Sequence, residues 1–154
     1  MNTNKQRAFL FLAFLCLVPT AVFAAVKMPP IEHKPFATHH VVLQISDANL
    51  VTQELILNVA SNLITYYGTD KLDLEIVAYG PGLQLLLADN ANASRIHTLA
   101  KSYDIKFDAC ENTLDALTRK LGHKPALNPD AQLVPAGAAR IIQLVRHGYV
   151  LMRP

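Results

Sequence analysis

Short apolar runs alternate along this chain with longer stretches of helical period, and several of those stretches close on glycine. This alternation constrains the fold more than any single motif does. His40 to Ser46 (HVVLQIS) is nearly continuously apolar through Val41, Val42, Leu43 and Ile45, the pattern of a strand buried on both faces. Leu50 to Tyr67 then repeats apolar residues at helical spacing, with Leu55, Val59 and Leu63 beside Ile56, Ala60 and Ile64. Asp47 or Asn49 can cap its start and Gly68 fits its end.

The alternation continues. Leu72 to Tyr79 predicts a second strand, stopped by Gly80-Pro81-Gly82, and Leu83 to Leu87 is an apolar run too short to assign. Asn92 predicts the cap of a helix marked by Ile96, Leu99, Ala100 and Tyr103; the Asn92-Ala93-Ser94 glycosylation sequon is read as that cap. Ile105 to Ala109 predicts strand three, and Asn112 or Thr113 opens a helix that Gly122 closes. A loop from His123 to Asp130, a short strand Ala131 to Val134, a helix Gly137 to His147 and a final strand Tyr149 to Arg153 complete the chain. Strands and helices in this order predict an α/β fold: a three-layer domain with a mainly parallel sheet of about five strands and helices on both faces.

The first 24 residues stand apart. Lys5 and Arg7 precede an apolar run from Ala8 to Ala24 that ends Ala21-Val22-Phe23-Ala24, the layout of a secretory signal cut after Ala24. At 17 residues, with Pro19 inside, the run falls short of the ~20 apolar residues a spanning helix needs. The expected division is a signal peptide at 1–24, an extended, proline-containing arm at 25–38 and the α/β domain at 39–154. The expected location is the periplasm or another exported compartment, with no stable membrane anchor after cleavage. Two of the 14 basic residues, Lys5 and Arg7, belong to the leader, and the remainder balances the 12 acidic ones. A neutral mature chain removes the compositional case for binding nucleic acid. Cys16 also lies in the leader, so the mature chain keeps one thiol, Cys110, and forms no internal disulfide.

Ligands of parallel sheets bind where strands end and loops lead into helices. Two such ends are chemically unusual here: Gly80-Pro81-Gly82 after strand two, and Cys110-Glu111-Asn112-Thr113 after strand three. A helix N-terminus next to Cys110 favours a thiolate, whereas Asp108 and Glu111 oppose one; free cysteines are also commonly buried as small apolar residues. The glycine turn either lets backbone approach a ligand or another subunit, or simply stops the strand. His39-His40 begins strand one at the far end of the sheet, and neighbouring strand residues face opposite ways, so that pair does not chelate. His123 and His147 each adjoin a helix-ending glycine, where an imidazolium suits the helix dipole. No nucleotide-binding loop, metal motif or G-x-S-x-G elbow is present, so neither a cofactor nor a metal is expected.

Three segments in order resemble the DsrE/DsrF-like (YchN-like) family. They are Ile76-Val77-Ala78-Tyr79-Gly80-Pro81-Gly82, then Phe107-Asp108-Ala109-Cys110-Glu111-Asn112-Thr113, then Val134 to Arg140 continuing to Gly148-Tyr149. The resemblance spans about residues 39–153. It implies a small α/β domain assembled as a homotrimer or homohexamer. In relay members such as DsrE and TusD, a cysteine accepts sulfane sulfur and passes it on. Carried over residue by residue, Cys110 matches that sulfur acceptor, Gly80 and Gly82 match the glycine turn, and Asn112 follows the cysteine. The implied partners are further copies of the chain and a sulfur donor, either a protein or a small sulfur compound. Unlike the cytoplasmic relay proteins, this chain carries an export signal and has no second mature cysteine to resolve a persulfide. The alternative expectation is an oligomeric binding or assembly module with a buried cysteine, its interface made by Leu83 to Leu87 and the glycine turn.

Overall fold

A computed structural model describes residues 27–154; the expected signal peptide, its cleavage site and Cys16 lie outside the described residues. The order is β1 (His39–Ile45), α1 (Leu50–Tyr67), β2 (Leu72–Ala78), a 3₁₀ segment (Gly80–Leu86), α2 (Ala93–Tyr103), β3 (Lys106–Cys110), α3 (Glu111–Leu121), β4 (Ala131–Val134), α4 (Gly137–Arg146) and β5 (Val150–Met152). The five strands form one sheet in the order β4-β3-β2-β1-β5, and every neighbouring pair is parallel. The expected α/β class is therefore the observed one.

The two faces of the sheet are built differently. One carries Val41, Leu43 and Ile45 of β1, Leu72, Leu74, Ile76 and Ala78 of β2, and Phe107 and Ala109 of β3. Against these pack Ile56, Leu57, Ala60 and Ile64 of α1, Ile96 and Leu99 of α2, and Leu83, Leu85 and Leu86 of the 3₁₀ segment. Burying each of these large side chains is worth roughly 1.5–3 kcal/mol, so this layer is the main source of cohesion. The opposite face has a smaller apolar cluster of Val42, Val77, Ile141, Leu144 and Tyr149, with Ile31 of the arm against it. Beside that cluster the same face buries polar and charged side chains, among them Asp73, Glu75, Asp108 and Arg140.

Local chemistry sets the element ends. Asn49 Oδ1 accepts from Val51 N at 2.8 Å, and Gly68 N donates to Ile64 O, so α1 has the predicted start and stop. Asn92 stands at the predicted N-cap position of α2, but its side chain makes no capping hydrogen bond; Asn90 Oδ1 accepts from Asn92 N at 2.9 Å. Leu55 is corrected too, being 44% exposed, because the buried stripe of α1 is centred on Ile56, Leu57, Ala60 and Ile64.

The arm before β1 is tied down by long cationic side chains. Arg140 Nη1 donates to Pro29 O at 2.8 Å, Lys106 Nζ to Glu32 O at 2.8 Å and Lys34 Nζ to Tyr103 O at 2.8 Å. Among the described residues no helix is long and apolar enough to cross a membrane.

Candidate functional site

Three loops converge at the carboxyl ends of the strands. Cys110 is the last residue of β3 and the residue immediately before α3, with extended backbone angles. Glu111, Asn112 and Thr113 form the first turn of that helix. Thr113 Oγ1 accepts from Gly80 N at 2.9 Å, joining this turn to the one after β2. Asn112 N donates to Pro135 O at 3.3 Å, bringing in the loop after β4. The residues singled out in sequence thus meet in one place, and Cys110 lies among them, 5% exposed.

The glycine turn has a specific steric origin. Gly80 has φ +53, the left-handed region that other residues enter at a cost. At Gly82 a Cβ would stand 2.4 Å from Ile45 O and 2.6 Å from its carbonyl carbon. The close approach is thus to the chain's own β1, and Pro81 alone of the three is exposed. The interface expected of Leu83 to Leu87 is corrected as well. Leu83, Leu85 and Leu86 are at most 1% exposed, their surface consumed inside the domain.

On the face covered by α4 lies a charged cluster that no local sequence pattern announces. Arg140, 0% exposed, donates from Nη2 to Glu75 Oε1 and Oε2, both at 2.9 Å, and from Nε to Asp108 Oδ2 at 3.2 Å. Gln132 Nε2 donates to Asp108 Oδ1 at 2.5 Å, and Lys106 Nζ stands 3.7 Å from Glu75 Oε1. Two buried carboxyl groups thus share one guanidinium. Burial first, then the Asp108 carboxylate, push the Glu75 carboxyl up to about 8 against the opposing pull of Arg140 and Lys106. A proton on Glu75 reduces the negative charge buried around Arg140.

The raised Glu75 carboxyl has a thermodynamic signature. Its ordinary value is 4.5, so the folded chain holds this proton more tightly than the unfolded chain does. The contribution to stability is complete below about pH 4.5 and is lost as pH rises through about 8. Urea denaturation of the wild type is expected to give a lower midpoint at pH 8 than at pH 5.5. Glu75→Gln, which fixes the uncharged form, is expected to flatten that slope; an unchanged slope in the variant would count against the assignment.

A second cluster lies at the opposite end of the sheet. The strand register sets His40 of β1 beside Asp73 of β2, and the arm adds His33. His33 Nδ1 is 3.2 Å and His40 Nδ1 3.5 Å from Asp73 Oδ2, while Tyr149 Oη donates to the same oxygen at 2.8 Å. Burial, then this hydrogen bond to Asp73, push the Tyr149 phenol well above its ordinary range, so it remains a donor. His39 does face away from His40 as expected, its ring 4.0 Å from that of Tyr67. His147 stands at the end of α4, where its Nδ1 lies 2.8 Å from Gln143 O.

No family model matches the chain, and no curated protein matches it. Among solved structures it is similar to the protein of unknown function MTH1491 from Methanobacterium thermoautotrophicum. That match has 25% sequence identity and a TM-score of 0.66, and it covers 75% of this chain and 99% of the other. It agrees with the α/β class and names no activity.

Proposed function

We propose that the chain is an exported DsrE-like sulfur-handling protein in which Cys110 accepts sulfane sulfur as a persulfide. The observation that carries this reading is the position of Cys110, at the end of β3 and the start of α3, where the loops after β2 and β4 also meet. α3 begins at Glu111, so the sulfur stands at the N-terminal, positive end of a helix dipole. With thiosulfate as donor, the Cys110 thiolate attacks the outer sulfur, the S–S bond of thiosulfate breaks, and sulfite leaves with the bonding pair. The product is a cysteine persulfide anion, and no external oxidant is consumed. Cys110 is 5% exposed, so loading under this proposal requires one of the converging loops to open.

Self-association as a homotrimer or homohexamer belongs to the same proposal. It is supported by the outer edge of β5, which no other strand pairs among the described residues and where Val150, Leu151 and Met152 are 62%, 44% and 37% exposed. A second reading, an oligomeric binding or assembly module with a structural cysteine, is favoured by the burial of Cys110 itself. Cys110→Ser separates the two. Under the sulfur-handling proposal the variant assembles as the wild type does and takes up no sulfur from thiosulfate or polysulfide. Under the second reading wild type and variant behave alike.

A further inference from the structure

We propose that His33, His40 and Asp73 form a binding site for a divalent transition-metal ion, remote from Cys110 and independent of it. One donor atom from each residue lies within 4.8 Å of the other two. The bond lengths of a zinc site, about 2.0–2.1 Å, place neighbouring ligands of a tetrahedron about 3.3–3.4 Å apart. The two histidine-to-carboxylate separations, 3.2 and 3.5 Å, bracket that edge.

Three further features point to a ligand. His40 Nδ1 is buried and has no hydrogen-bond partner among the described residues. Leaving a buried polar atom in that state is unfavourable, and a metal bond to its lone pair removes the penalty. Asp73 is 1% exposed, and Tyr149 Oη donates to the same carboxylate oxygen that the histidines face, holding it in place as outer hydrogen bonds do for metal-bound carboxylates. The His33 side chain is 41% exposed, leaving one side of the cluster open to water or a fourth ligand.

Two imidazoles and one carboxylate suit zinc and its first-row neighbours, and they do not suit calcium or magnesium, which prefer all-oxygen sites. Asp73 is far in sequence from His33 and His40, and the arm's docking and the β1–β2 register bring the three together. Because His33 comes from the arm, metal binding would fasten the arm to the sheet at a further point.

The test is equilibrium dialysis and calorimetry of the purified, chelator-stripped, untagged protein with Zn²⁺ alone, with cobalt(II) as the spectroscopic probe. The expected result is one ion per chain, a raised melting temperature, and cobalt bands in the visible without sulfur-to-metal charge transfer. His33→Ala sits on the arm outside the sheet and is the variant least able to disturb folding; it and His40→Ala are each expected to weaken binding more than about tenfold. Cys110→Ser is expected to bind as the wild type does. The proposal is overturned by the absence of a stoichiometric site, or by binding that survives both histidine variants or disappears with Cys110→Ser.

Discussion

Arg140→Met is expected to destabilise the protein by about 3–5 kcal/mol, the cost of leaving buried charge without its partner. Arg140 makes three hydrogen bonds to Glu75, one to Asp108, one to Gln143 and one to the backbone of Pro29 in the arm. Methionine keeps much of the volume and removes every donor. Glu75 and Asp108 are both at 0% exposure, so water cannot replace the guanidinium without opening the layer between α4 and the sheet. Denaturation by urea at pH 7 measures the loss. Adding Glu75→Gln and Asp108→Asn to Arg140→Met is expected to recover a substantial part of it, because the triple variant leaves none of these three positions charged. If the triple variant is no better than Arg140→Met alone, packing rather than uncompensated charge dominates.

The second large effect is expected at Gly82→Ala. The added methyl would meet Ile45 O at 2.4 Å, its carbonyl carbon at 2.6 Å and Ser46 Cα at 2.9 Å. All three are backbone atoms at the end of β1, so no side-chain rotation relieves the clash. The strand end or the 3₁₀ segment must shift, and the cost is at least the 1–3 kcal/mol typical of overpacking, about 2 kcal/mol or more in practice. Gly137→Ala provides the comparison, since the nearest atoms there belong to the Tyr79 and Val77 side chains at 3.0–3.3 Å. Thermal denaturation is expected to show the larger loss at Gly82. Equal losses at the two positions would mean that β1 yields more easily than its paired, buried setting implies.

The fold is legible in the sequence because its signals are local. Asn49 and Gly68 bound α1, Gly122 closes α3, and the continuous apolar runs of β1 and β2 mark strands covered on both faces. The residues grouped around Cys110 are legible for the same reason, since each adjoins a strand end and parallel strands bring those ends together. The rest depends on pairings across the sheet. In sequence Arg140 is an ordinary helical cation, and only the packing of α4 over β2 and β3 sets it between Glu75 and Asp108. His40 reads in sequence as half of an ineffective histidine pair, whereas its neighbours in space are Asp73 of the next strand and His33 from the arm. The Leu83 to Leu87 run carries no sign of which surface it covers, because an apolar run reads alike at an interface and in a core.

The central claim is that Cys110 takes up sulfane sulfur while the protein is folded, and intact-mass measurement after incubation with thiosulfate or polysulfide tests it most directly. The account predicts a gain of about 32 mass units per sulfur atom, reversed by thiol reductant and absent in Cys110→Ser. A native protein that gains no mass with either donor, and whose thiol resists alkylation until the chain is unfolded, would contradict it.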